Sequence, residues 1–208
     1  DYNSGVHDAF VEAAAEDGLE VVADEAYTTD SNTDYSVQLS KIKDSGAELL
    51  FLPNYYADNA LILQQAHDAG MDDVKKFGVD GMDGILGVEN FDTSLAEGVM
   101  LLTPFNADAT DEKTQSFVTK YKELYGDVPN QFAADAYDCV YAYKAALEAS
   151  GATADMTAEE LCDKLIEAFP TLTYDGLTGT GITWDSTGAV SKTPKGMVIK
   201  NGAYVGME

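Results

Sequence analysis

Two tyrosines and two aspartates, Tyr55, Tyr56, Asp80 and Asp83, stand just beyond short apolar runs of strand character. The first run, Ala47-Glu48-Leu49-Leu50-Phe51-Leu52, is followed by Pro53-Asn54-Tyr55-Tyr56 and a helical stretch from Ala57 to Ala69. The second, Lys76-Phe77-Gly78-Val79, opens directly onto Asp80-Gly81-Met82-Asp83-Gly84. A phenol and a carboxylate facing one cleft are suited to holding a cationic amine and poorly suited to breaking bonds. That chemistry requires both segments to share an edge. Alternation of strand and helix implies a parallel sheet, and open sheets of this kind bind small ligands beyond the carboxyl ends of their strands. Tyr55, Tyr56 and Asp80 are therefore expected on one rim. Asp80 reads equally as a turn acid capping local amides, and the two tyrosines as one packing and one surface aromatic.

The elements that must position these groups follow from hydrophobic period and from helix stops. A helix is predicted from Ser4 to Asp17, with Ser4 as N-cap, Val6, Phe10, Val11 and Ala14 on one face and Gly18 as its stop. Leu19 to Ala23 reads as a strand. A polar loop from Asp24 to Thr33 leads to Asp34 as the cap of a helix that carries Val37, Leu39 and Ile42 and ends at Gly46. Strand Ala47 to Leu52, helix Ala57 to Ala69, strand Lys76 to Val79, a short helix near Asp92 to Ala96 and strand Gly98 to Leu102 complete this series. After Thr103-Pro104 three helices follow, Asp111 to Tyr125, Gln131 to Ala149 and Thr157 to Phe169. The chain closes with a hairpin pairing Met197-Val198-Ile199-Lys200 with Ala203-Tyr204-Val205 across Asn201-Gly202, a dipeptide that tolerates positive φ at both positions. The fold class is α/β: a parallel open sheet flanked by helices, with additional helices and a C-terminal β-hairpin.

The 208 residues, 45% of them apolar, are enough for one large domain or two small ones. A net charge of −25 opposes binding to nucleic-acid phosphates or anionic lipid heads, and no basic patch interrupts the acidity. No apolar run approaches the roughly 18 residues that suggest a membrane span. Asp1-Tyr2-Asn3-Ser4-Gly5 reads as a turn feeding a helix, which points to a truncated chain whose upstream portion, with any export signal, has been removed. Cys139 and Cys162 lack the paired spacing of a zinc site and read as structural thiols, with a disulfide open if their helices are neighbours. His7 and His67 read as surface residues, and neither activates a serine or cysteine. Asp30-x-Asn32-x-Asp34 starts like a calcium loop, but Tyr35 and Lys41 occupy the slots that need glycine and a bidentate glutamate. Gly78, Gly81, Gly84 and Gly87 are spaced by three without the tight Gly-x-Gly of a dinucleotide site. Acid pairs are plentiful, yet none is singled out as a glycosidase dyad with one acid in an apolar pocket. No catalytic residue, metal or cofactor is called.

One resemblance runs in order along the chain. Ser45-Gly46-Ala47-Glu48-Leu49-Leu50-Phe51-Leu52-Pro53-Asn54-Tyr55-Tyr56, continuing through Leu63-Gln64-Gln65-Ala66 and Ala69-Gly70, resembles the type I periplasmic binding proteins of branched-chain amino acid ABC importers. Asp1-Tyr2-Asn3-Ser4-Gly5 resembles that family's turn after a strand, and the stretches Asn130 to Asp138 and Leu177 to Gly188 resemble its later segments. The resemblance implies a two-lobed clamp that closes on a small ligand. On that template residues 1–104 form the second lobe, 105–170 are helices that pack on a first lobe lying upstream, and 171–208 are the hairpin and hinge segment. Tyr2 and Tyr55 then resemble the aromatic residues of the cleft, Asp80 the acid that pairs with the ligand α-ammonium, and Phe132 a contact from the other lobe, with Tyr56 and Asp83 as neighbours. The family often carries glutamate where Asp80 stands, so the shorter acid departs from the pattern. The implied function is an extracytoplasmic solute-binding component that hands an amino acid to a membrane ABC permease, without a cofactor and without nucleic acid. Helices lacking their sheet imply self-association. An extracellular sensor lobe of the same fold predicts the same pocket but a membrane span or signalling domain elsewhere, and a hydrolase predicts turnover.

Overall fold

Strand register decides which loops meet. In the computed structural model, which describes residues 2–207, β1 (Leu49–Leu52) and β2 (Lys75–Gly78) run parallel with Leu52 opposite Gly78. The segments that leave them, Pro53 to Tyr55 and Val79 to Met82, therefore emerge on one edge. β3 (Met100–Thr103) lies parallel beside β2, and β4 (Lys195–Lys200) and β5 (Ala203–Gly206) complete a five-stranded sheet in the order β1-β2-β3-β4-β5. β4 and β5 form the antiparallel hairpin, turning at Asn201 and Gly202 with φ of 53° and 72°, the left-handed pair that a two-residue hairpin requires.

The chain divides into two compact units. The first runs to Thr103 and is rejoined from Gly196, and the second is Pro104–Lys195. Residues 171–208, read from the sequence as one closing piece, are thus split: the hairpin contributes to the first sheet because Met197 and Ile199 are buried in its core.

In the first unit the helices are α1 (Tyr2–Glu16), α2 (Ser36–Asp44) and α3 (Tyr56–Asp68). α3 places Ala60, Leu63 and Ala66 on one buried face, and Leu39 of α2, Leu50 and Leu52 of β1, Leu101 of β3 and Ile199 of β4 join them in a single core. Burying each leucine or isoleucine is worth roughly 1.5–3 kcal/mol before conformational entropy is counted. The N-cap of α2 is Tyr35 instead of the expected Asp34, which stands one residue earlier and accepts from the Ser36 amide at 3.0 Å, whereas Asp92 is itself the N-cap of the short 3-10 turn Thr93–Ala96 and accepts from the Ser94 amide.

Two expectations need correction. Leu19 to Ala23 is not a strand: no ladder pairs with it among the described residues, and Leu19, Val21 and Val22 are exposed. Strand propensity is realised only when a neighbour takes the backbone hydrogen bonds. Helix α1 begins at Tyr2, ahead of the expected Ser4 cap, so Ser4 lies inside its first turn.

The second unit contains α4 (Glu112–Tyr125), α5 (Gln131–Ser150) and α6 (Ala158–Ala168). Its core is small, with Phe105, Val118, Ala134 and Leu177 buried and Phe117 and Tyr137 packed against them. Asp138 of α5, 5% exposed, anchors the loop that follows α6 by accepting from the Leu177 and Thr178 amides and the Thr178 hydroxyl, each at 2.8 Å. Cys139 and Cys162 are both free and exposed, which corrects their reading as structural thiols. Among the described residues no helix is long and apolar enough to cross a membrane.

Candidate functional site

Tyr2 joins the two loops that the sheet register brings together. It stands at the start of α1, and its hydroxyl donates to Asp80 Oδ1 at 2.5 Å while accepting from the Gly81 amide at 3.0 Å. Its ring lies against that of Tyr55, with centroids 4.9 Å apart and planes tilted by 31°. Asp80 opens a 3-10 turn, Asp80–Met82, two residues past the end of β2, and Tyr55 is the N-cap of α3, three residues past the end of β1. Three elements so place a carboxylate and two aromatic rings at one rim. Burial, then the hydrogen bond to Asp80, raises the Tyr2 phenol above its ordinary pKa, so at neutral pH it keeps the proton that it donates.

The close approach depends on Gly81. A Cβ there would lie 3.0 Å from both the Tyr2 hydroxyl and the Asn54 carbonyl, so a larger residue would push the two loops apart. Of the glycines spaced by three, Gly81 permits this packing and Gly84 takes the left-handed turn, with φ of 104°.

The rim is supported from below by a polar network that the sequence reading did not single out. Buried Asn54 accepts from the Asn3 side chain at 3.1 Å and from the Tyr27 hydroxyl at 2.9 Å, and its carbonyl accepts from Asn59 Nδ2 at 2.9 Å. Asp58 in turn accepts from Asn32 and Tyr35. Asn59, on the buried face of α3, is the residue that could have signalled it, since an amide buried there must find partners.

The remaining candidates separate. Tyr55 and Tyr56 are exposed, 44% and 36%. Asp83 is turned inward at 4% exposure, where it accepts from the Thr103 hydroxyl at 3.3 Å. Burial, with the Asp83 carboxylate beside it, raises the Tyr204 phenol, and Tyr204 accepts from the Gly84 amide at 3.1 Å. Asp83 thus holds the site loop to β3 and the hairpin. Phe132 belongs to the second unit, partly buried in the first turn of α5. Among the described residues no cluster of histidine, cysteine and acid side chains could hold a metal ion.

An acid and two rings thus stand together at the carboxyl edge of a parallel sheet. A model described as "Periplasmic binding protein" matches residues 1–203. The chain belongs to the periplasmic binding proteins. It is of their type I, branched-chain amino acid branch. Leu/Ile/Val-binding protein homolog 3 of Brucella melitensis is 28% identical over 209 aligned positions, which cover all of this chain and 54% of that protein. The branched-chain amino acid transporter substrate-binding protein LivJ of Streptococcus pneumoniae, solved with isoleucine, superposes with a TM-score of 0.80 at 27% identity, covering 100% of this chain and 57% of LivJ. The leucine-binding protein LivK of Thermotoga maritima gives a TM-score of 0.83 at 24% identity, again over 100% of this chain and 57% of its own, and shares the fold. This periplasmic binding protein chain spans about half the length of the curated relatives it matches. Family and relatives alike are named for binding, not for catalysis.

Proposed function

We propose that the chain is part of the extracytoplasmic solute-binding component of an ABC importer, and that it grips an amino acid of branched-chain type through its α-ammonium. The observation that carries this reading is the corner formed by Asp80, Tyr2 and Tyr55. A carboxylate held at a half-buried rim gains more from an ammonium than it would in water, because charge-assisted hydrogen bonds are strengthened where solvent is excluded. The two rings beside it offer an apolar wall and, at their faces, a favourable position for a cation. Exposed Tyr56 extends that wall. The permease of the importer is the proposed partner, and the product of binding is delivery and not turnover.

The test is calorimetry and thermal shift on the full-length protein with leucine, isoleucine, valine and their deaminated acids, in wild type and Asp80→Ala. A one-site amino acid ligand at a hundred times its Kd should stabilise the wild type by about 2.7 kcal/mol. Asp80→Ala should weaken binding by tenfold or more, the scale of one hydrogen bond to a charged group. Equal binding in the variant would remove Asp80 from the site, equal binding of the deaminated acids would remove the ammonium, and turnover of any hydrolysable substrate would replace the reading with an enzyme.

A further inference from the structure

Tyr2 stands where a wall residue would, yet its polar atom points at the protein. Its hydroxyl is engaged on both sides of the loop after β2, giving its proton to Asp80 Oδ1 at 2.5 Å and receiving that of the Gly81 amide at 3.0 Å. The contact spans 78 residues of sequence and links the first turn of α1 to the 3-10 turn Asp80–Met82. A free aspartate at a rim samples several rotamers, and ordering it when a ligand arrives costs binding energy.

We propose that Tyr2 is a positioning residue: its phenol presets the Asp80 carboxylate in the orientation that meets a cationic ligand, and it acts on affinity through Asp80 instead of through a polar contact of its own. The inference rests on the amine-binding reading given above, but the bond at its centre can be tested without any ligand. The ring of Tyr2, packed on Tyr55, stays in place when only the hydroxyl is removed, so Tyr2→Phe separates the positioning bond from the aromatic wall. Gly81→Ala is a second route. It keeps every polar group while placing a carbon 3.0 Å from both the Tyr2 oxygen and the Asn54 carbonyl, and so disturbs the phenol together with the loop that carries Tyr55.

Two measurements decide it. In the ligand-free protein, proton NMR should show a downfield hydroxyl resonance that vanishes in Tyr2→Phe and moves upfield in Asp80→Asn; a wild type without it, or a resonance that Asp80→Asn leaves in place, overturns the proposal. With L-leucine as probe, a double-mutant cycle on the full-length protein should show Tyr2→Phe weakening binding by about tenfold alone and by nothing further in the Asp80→Asn background. Gly81→Ala, which disturbs Asn54 as well, should weaken binding at least as much as Tyr2→Phe. Equal losses in both backgrounds would make Tyr2 a direct ligand contact and overturn positioning. A wild type that binds no amino acid would defeat the functional reading, while the resonance would still decide whether Tyr2 orients Asp80.

Discussion

The buried carboxylate of Asp83 accepts a hydrogen bond from Thr103 Oγ1 at 3.3 Å, tying the loop that carries Asp80 to the last residue of β3. Both residues are almost wholly inaccessible, at 4% and 1% exposure, so neither can exchange its partner for water. Thr103→Val keeps the shape of the side chain and removes the donor. It should destabilise the protein by about 1–3 kcal/mol, read as a lower urea midpoint at unchanged m-value. The same variant should leave the far end of the chain's second unit unaffected in hydrogen exchange, since Thr103 closes the first unit.

Asp138 performs the corresponding task in the second unit. Asp138→Ala leaves the Leu177 and Thr178 amides and the Thr178 hydroxyl without an acceptor in a buried place, and should cost on the order of 3 kcal/mol. Asp138→Asn, which keeps one acceptor oxygen, should fall between. Gly176→Ala should behave like the alanine variant, because its Cβ would stand 2.3 Å from Asp138 Oδ2. Chemical denaturation of the three variants ranks them.

His67 gives a pH dependence of known sign. Its Nδ1 lies 2.7 Å from the Asp72 carboxylate, and that hydrogen bond raises the imidazole above its ordinary pKa of 6.5. A group whose pKa is raised in the folded state stabilises the fold below its unfolded pKa, and the contribution disappears as pH rises through the folded value. Thermal unfolding of wild type and His67→Gln should therefore differ at about pH 5.5 and coincide at about pH 9, well to either side of the imidazole range. The pair is exposed, so the difference is small, and salt should shrink it.

The hairpin turn offers a backbone test. Asn201 and Gly202 both have left-handed φ, 53° and 72°, and the Asn201 amide donates to Glu97 at 2.8 Å. Gly202→Val should cost about 1–2 kcal/mol through the strain of a β-branched residue in that region, whereas Asn201→Gly should be nearly neutral. Urea midpoints of the two variants check the contrast.

What the residues alone disclosed was whatever depends on nearest neighbours in the chain. Alternating apolar runs and helix stops placed α1, α2 and α3 within a few residues, and Asn201-Gly202 located the hairpin, because a two-residue turn is specified by the φ its own residues accept. The strand expected at Leu19 to Ala23 was not formed for the complementary reason. A strand is a property of a pair, and among the described residues no ladder pairs with that stretch.

The rim divides along the same line. Tyr55 and Asp80 were legible as strand-end residues, since a parallel sheet sends all its strands' carboxyl ends to one edge. That Asp83 turns inward to Thr103, that Asn54 and Asn59 brace the floor, and that the Tyr2 hydroxyl is spent on Asp80 are contacts across many residues of sequence, set by the register of Leu52 against Gly78 and by the room left at Gly81. Local propensity carries no information about such distances; only the packed sheet, by fixing where each loop must start and end, determines which polar groups meet.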